Sequence, residues 1–384
     1  MGRKRTTIGL IYNPSSSWIA GAYYVQNIIS ALTMCDDKHL PIIKVYCSSP
    51  AVFDELKTIT MYPYLRMRII ENKQQSIWIK RFRRRLEKYL KIDFPTDDAI
   101  ARKTAKDKFV YPIHWLSEVV DKTKALGWIP DFQEKYLQNF FSEEELVSRN
   151  EWQKDYIKNN VPVVFSSEDS RFDFYKFHPE GKDLKTFVLP FAVTHPDFTK
   201  ANIDEIKRKY SINKPYLFCA NQFWIHKNHL FLFKAFKSAK EKGFDVQLVC
   251  SGKISDYRDK EYGQTLLSYI RKEHLENDIL LLGFIDRKEQ LCLMKNSYAL
   301  VQPSLFEGWS TVVEDAKSLN KFIFLSNLRV HIEQNPKNAS YFNPYDEEDL
   351  VEKLLNVEPT QNLYDYQQDI KKFGERFIEI INAF

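Results

Sequence analysis

Glu307, Gly308, Ser310, Thr311 and Asp315 share one stretch, VQPSLFEGWSTVVEDAKSLNK, that reads as strand, tight loop and helix. The apolar run YALVQ predicts the strand. Ser310 or Thr311 predicts the N-cap of the helix, and Thr311 with Glu314 three residues on has the spacing of a capping box. Such a helix start turns free N–H groups and a partial positive charge toward residues 308–311, so the chemistry it offers is anion binding. Gly308 admits close backbone approach. A diphosphate suits that cradle, and Glu307, just before the turn, can accept from a hydroxyl on a neutral group beside it. By pattern alone the stretch is equally an ordinary strand-to-helix connection with an exposed acid.

Other chemistries lack their signatures. The sequence has no G-x-G-x-x-G, no P-loop, no H-E-x-x-H and no G-x-S-x-G. It also has no Asp-x-Asp, the simplest carboxylate pair for holding a divalent metal against a diphosphate, so phosphate charge falls to cations and helix ends and no metal or bound cofactor is expected.

At Glu307 and the acid eight positions later, Asp315, the chain resembles the retaining glycosyltransferases of family four, which have the GT-B fold and two Glu separated by seven residues. The resemblance implies that Glu307 contacts the donor sugar and Asp315 the ribose, with Glu314 left to the capping box and Asp315 free. YLFCANQFWIHKNHLFLFKAF resembles the segment in which an Arg and, five residues on, a Lys clamp the diphosphate. Lys227 holds the Lys place and Gln222 the Arg place, so one fixed cation is missing; His226 or His229, as neutral imidazole, is a weak substitute. Asn228, before an apolar helix, sets a second helix N-terminus beside the phosphates. LVCSGKISDYRDKEY, the turn after ILLLGFI and LSNLRVHIEQ follow the family in order, which implies a nucleotide-base site at Gly283, Phe284 and Ile285 and makes Trp309 part of the donor loop. The resemblance is firm over about residues 214–350 and looser in the first half. There Gly21 keeps one Gly of a paired-Gly loop, with Ala20 at the other, and GWIPDFQEKYLQNFFS puts Glu134 where a bacterial branch has a His near the sugar. An ionised Glu134 only accepts hydrogen bonds, so either its pKa is raised or it meets hydroxyls as an acceptor; otherwise it is a solvated residue at a helix start.

The elements that must position these residues form two series. Thr7–Tyr12, PIIKVYC, VPVVFSS and KTFVLPF are short β-branched or aromatic runs between helical stretches, and after LPFAVTHPDF a second series follows: YLFCANQ, VQLVCSG, ILLLGFI, YALVQPS and FIFLSNL. Strand–loop–helix repeats of this kind predict an α/β protein of two doubly wound Rossmann-like domains, residues 1–195 and 196–365, which in the GT-B arrangement face each other across a cleft. The apolar positions Phe373, Phe377, Ile380 and Ile381 predict a packed C-terminal helix within 366–384, able to cross back to the first domain.

Length fits two or three domains, and 44% apolar residues with 56 aromatics suffice for large cores. The net charge of +5 is local: eight Lys or Arg against one Glu between Lys73 and Lys91 make +7, which leaves the rest of the chain at −2. That disfavours nucleic acid as a partner. Within 77–91, Trp78, Ile79, Phe82, Leu86, Tyr89 and Leu90 cover an arc of about 120° on a helix, opposite Lys80, Arg81, Arg83, Arg84, Arg85 and Lys88. Such a helix can dock on anionic lipid or simply close the first domain's core. No apolar run is long enough to span a bilayer, the IGLIY run after MGRKRTT is too short for a signal peptide, and the five widely spaced cysteines suit reduced core positions. These features predict a cytoplasmic protein, peripheral at the inner membrane face. The implied activity is transfer of a hexosyl group, with retention and without metal, from a nucleotide-sugar co-substrate to a glycan or lipid-linked acceptor in cell-surface polysaccharide synthesis. The alternatives are a nucleotide-sugar-binding protein or scaffold without activity, and another GT-B enzyme such as a nucleotide-sugar hydrolase or epimerase.

Overall fold

The structure, a computed structural model of the 384-residue chain, describes residues 5–14, 19–69, 107–116, 119, 121–256, 258–259 and 261–384. The basic segment 77–91, with Lys80, Arg81, Arg83, Arg84, Arg85 and Lys88, lies outside these residues.

Two parallel sheets organise the described chain, as the repeated strand–helix pattern predicts. The first contains β1 (Thr7–Ile11), β2 (Ile42–Cys47), β3 (Leu65–Ile69), β4 (Val110–Ile113), β5 (Ala125–Ile129), β6 (Val163–Phe165) and β7 (Thr186–Val188), in the order β3-β2-β1-β4-β5-β6-β7. The second contains β8 (Tyr216–Ala220), β9 (Gln247–Ser251), β10 (Ile279–Leu281), β11 (Ala299–Gln302), β12 (Ile323–Ser326) and β13 (Ala339–Phe342), in the order β10-β9-β8-β11-β12-β13. Successive side chains of a strand point to opposite faces, so a parallel sheet covered by helices on both sides needs apolar residues at nearly every position. Accordingly Leu126 and Trp128 enter one core of the first sheet while Ala125 and Ile129 enter the other. In the second sheet Leu217 and Cys219 divide in the same way from Tyr216 and Phe218.

The last helix, Gln367–Ala383, follows the second sheet in sequence but packs on the first. Its Ile370, Phe373, Phe377, Ile380 and Ile381 share a core with Ile28, Ile29 and Leu32 of the helix Ile19–Leu32. The two helices cross closely because residue 374 is glycine: a Cβ there would stand 2.6 Å from the Ala31 carbonyl oxygen. The chain therefore passes between the sheets twice, after β7 and again before residue 367.

Candidate active site

In the second sheet the strand order reverses between β8 and β11. Loops leaving the carboxyl ends of such a pair diverge, and the crevice between them is where open α/β sheets bind ligands. The loop after β8 carries Lys227 in a single 3-10 turn, Ile225–Lys227, and the loop after β11 carries Glu307. Lys227 Nζ donates to Glu307 Oε1 at 2.6 Å, with side chains 14% and 10% exposed. Gln302 Nε2 and Ser304 Oγ donate to the same oxygen at 2.8 and 2.7 Å. Because all three donors converge on Oε1, Oε2 is the oxygen that can accept from a ligand. Burial alone would raise the Glu307 pKa, but the Lys227 charge and the hydrogen bonds outweigh it and hold the carboxyl below its usual range.

Gln302 and Ser304 are positioning residues that motif reasoning misses. Gln302 is fully buried at the end of the apolar strand ALVQ and takes a hydrogen bond from Asn221 Nδ2 at 2.7 Å. A buried Gln needs partners on both ends of its amide, so a polar residue closing an apolar strand at a switch point was the available signal.

The helix Thr311–Ser318 is not held by a capping box. Ser310 is its N-cap without a side-chain cap bond. The Ser310 N–H donates instead to Gln334 Oε1 at 3.0 Å, and Gln334 Nε2 donates to the Ser310 carbonyl at 3.0 Å and to Glu314 Oε1 at 2.9 Å. Glu314 thus faces inward, 1% exposed, and a side chain from the neighbouring helix Arg329–Gln334 performs the capping. Asp315 is not free either: Arg287 Nη2 donates to its Oδ1 at 2.6 Å, and His195 Nε2 stands 3.8 Å away.

Gly308 does permit a close approach, and the group it meets is protein. A Cβ there would lie 2.4 Å from the Pro130 carbonyl oxygen and 2.7 Å from Asp131 Cβ, in the first domain. Trp309 Nε1 donates to the Phe191 carbonyl at 2.9 Å, which fastens the loop to the crossing after β7. Gln222 Oε1 accepts the Lys253 N–H at 2.9 Å, so its side chain joins the loops after β8 and β9. Neither histidine replaces the missing cation, for both are buried, and burial with Lys227 and Arg258 nearby pushes the His226 pKa well down. The helix His229–Glu241 has its Leu230 N–H taken by the Tyr262 hydroxyl at 3.3 Å. At the implied base site, Gly283 has a φ of 69°, a conformation suited to glycine, and Phe284 is 68% exposed, while Ile285 packs against the core. Gly21 lies in the first turn of the helix Ile19–Leu32.

Glu134 does not join Glu307 and Lys227. It is 1% exposed, and its partners lie on the helix Glu143–Lys158 of its own domain: Gln153 Nε2 donates at 2.8 Å and Arg149 stands at 3.6 Å. Burial raises its pKa. Its neighbour Gln133 is the residue that reaches across, accepting from Arg258 Nη1 at 2.9 Å.

Further contacts clasp the two domains. Arg329 pairs with Asp169 at 2.9 Å and Asp173 at 3.0 Å, and Glu333 accepts the N–H groups of Glu168 and Asp169 at 2.8 and 3.0 Å. Both crossings also meet at the Tyr366 hydroxyl, beside Glu314. The Tyr366 hydroxyl donates to Glu314 Oε2 at 2.7 Å and accepts the Val193 N–H at 2.9 Å. One buried hydroxyl thereby ties the helix Thr311–Ser318 to both connecting segments.

Two Rossmann-like domains clasped around a switch-point crevice define the GT-B architecture, and solved structures share it. Anabaena HepE in complex with UDP and glucose superposes with a TM-score of 0.64 over 99% of this chain and 100% of that one, at 13% identity. A glycosyltransferase from Rickettsia africae ESF-5 does so with a TM-score of 0.60 over 99% and 94%, at 15% identity. These likenesses show the fold. Residues 202–376, which carry Lys227 and Glu307, match the family described as glycosyl transferases group 1. The chain is also similar to the O-antigen chain mannosyltransferase RfbU of Salmonella typhimurium, 25% identical over 202 residues. That match covers 52% of this chain and about half, 51%, of the mannosyltransferase.

Proposed function

We propose that this protein is a glycosyltransferase that moves a hexosyl group from a nucleotide sugar to a hydroxyl of a glycan or lipid-linked acceptor, with retention, in cell-surface polysaccharide synthesis. The observation that carries the reading is the Lys227–Glu307 pair at the switch point of the segment matching the glycosyltransferase family. RfbU, named for O-antigen chain synthesis, supports the polysaccharide setting.

In the transfer, the bond from the sugar C1 to the diphosphate oxygen breaks as the acceptor oxygen bonds to C1, and the acceptor's proton leaves toward the departing phosphate. Negative charge grows on that phosphate while the sugar becomes oxocarbenium-like. Lys227 Nζ is the cation able to meet the charge, and Gln302 and Ser304 keep Glu307 oriented when Lys227 turns to the phosphate. Oε2 of Glu307 then accepts from a sugar hydroxyl. Closing the domains orients donor and acceptor together. The reading gives phosphate charge to Lys227 and helix ends rather than a divalent ion because the chain has no Asp-x-Asp.

The proposal extends to an anionic membrane surface, reached through Lys80, Arg81, Arg83, Arg84, Arg85 and Lys88, on sequence grounds. Among the described residues no helix is long and apolar enough to cross a membrane. Melting-temperature shifts with UDP-, GDP- and dTDP-sugars identify the donor, and product analysis with and without acceptor tests the activity. A donor that binds but yields no sugar transfer under any acceptor would leave a binding protein; release of free sugar without acceptor would indicate a hydrolase.

A further inference from the structure

The helix Thr311–Ser318 starts at the Glu307 loop, and its other end borders a second cavity. This pocket of about 270 Å³ lies between that end, the turn after the helix Arg329–Gln334 and the crossing that leads to the last helix. Its charged walls are Lys317, Lys321, Lys337 and Asp369, a formal +2. Lys317 is already neutralised, standing 3.2 Å from both Glu314 and Asp369. Lys321 is not: the one described hydrogen bond of its ammonium is to the Lys295 carbonyl at 3.4 Å, and burial pushes its pKa down. Lys337 is exposed at the rim with no described partner.

The pocket is held in shape without a ligand. Asn320 exchanges two hydrogen bonds with the Tyr364 backbone and Asn338 two with the Asn362 backbone, so the crossing is fixed over the cavity. A preformed site with two uncompensated ammonium groups favours a compact anion. Lysines act as point charges that suit a tetrahedral dianion, and a cavity below the roughly 300 Å³ of ordinary small-molecule sites is too small for a nucleoside diphosphate sugar.

We propose that this pocket binds a small phosphate-bearing anion, inorganic phosphate or a phosphorylated monosaccharide, through Lys321 and Lys337. The ligand sits apart from the donor crevice yet shares a wall with it. Gln334 lines the pocket and grips the N–H and C=O of Ser310 in the donor loop, and Lys317 joins Glu314 to Asp369 on the last helix. Occupancy and donor binding are thereby coupled, each changing the other's affinity by the same factor.

Calorimetric titration of the full chain with inorganic phosphate and, separately, a hexose 6-phosphate tests the site. The Lys227→Ala variant excludes the crevice as the source of the signal and is expected to bind as the wild type does. Lys321→Gln and Lys337→Gln should each weaken binding about fivefold, or ~1 kcal/mol at 1.4 kcal/mol per decade, and Lys321→Arg should retain it. Lys337 is exposed, so its variant reads binding without a folding defect. Tighter binding of one probe names the source. Loss of binding in Lys227→Ala, binding as tight as the wild type's in both Gln variants, or no binding of either probe in the millimolar range overturns the proposal.

Discussion

Lys227 and Glu307 stand eighty positions apart in sequence and 2.6 Å apart in the fold, and removing either leaves the other a buried charge without its counter-charge. Lys227→Ala should destabilise the protein by about 3 kcal/mol, the low end for a broken buried pair because both side chains keep some exposure. The sign with pH follows from the direction of the shift. Glu307 is held below its ordinary 4.5, so its contribution is present above that pH and lost as the pH falls through the folded value. Without Lys227 the buried carboxyl prefers to be protonated, so acid relieves the variant's penalty. Thermal melts should show the gap between wild type and Lys227→Ala narrowing from pH 7 toward about pH 4.5; a constant gap would speak against the pair. Glu307 and Lys227 were visible in the sequence because loop chemistry and motif spacing mark them. Their holders were not: Gln302 reads as a strand's exit, and only the structure shows that its amide is buried. Spacing also hid the roles of the adjacent acids, since nothing in VEDAKS tells that Glu314 meets Tyr366 while Asp315 meets Arg287.

At the scale of elements, the helix Thr311–Ser318 owes its start to tertiary contacts. Thr311 and Glu314 have the capping-box spacing, yet Glu314 is drawn inward by Gln334, Lys317 and Tyr366, and Gln334 takes over the Ser310 N–H. Gln334→Ala leaves that buried donor and part of a buried carboxylate unsatisfied, which should cost about 2–4 kcal/mol in urea unfolding. Thr311→Ala, which would cost about 0.5–2 kcal/mol if a capping box existed, should be nearly neutral. The reverse ranking would restore the capping box. The nine strands expected from apolar runs are present; β3, β4, β5 and β13 are further ones, the first three hidden from apolar patterning for identifiable reasons. Leu65–Ile69 alternates with arginines at a sheet edge, where one side needs no apolar cover. Val110–Ile113 contains Pro112, which lacks a ladder N–H, and its pairing with β5 shifts register between Val110 and Ile113. In Ala125–Ile129, Gly127 interrupts the apolar run because the Tyr156 ring occupies the space a Cβ would need.

At the scale of the whole molecule, the clasp between domains carries an electrostatic cost. Burial raises the Asp169 pKa to about 6, Asp173 and Glu333 add to the rise, and Arg329 only partly opposes it. Between its ordinary 3.8 and about 6 the folded chain holds a proton that the unfolded chain releases, so this group's contribution to stability falls as the pH rises through that window. Asp169→Asn cannot titrate, and its melting temperature should gain on the wild type's from about pH 4 to pH 7. An unchanging difference would mean that Asp169 is not desolvated by the clasp. The division into two doubly wound sheets was legible from the repeated strand–helix pattern. The meeting of both crossings at the Tyr366 hydroxyl beside Glu314 was not, because Val193, Glu314 and Tyr366 come from three distant segments and no local pattern relates them. In the proposed function the Lys227–Glu307 pair is a sugar-transfer site. Its most direct test is transfer from the donor found by melting shifts, measured for the wild type and Glu307→Ala with the fold of each checked by its melt. Acceptor-dependent product is expected from the wild type and none from a folded Glu307→Ala; near-normal turnover by the variant would contradict the assignment.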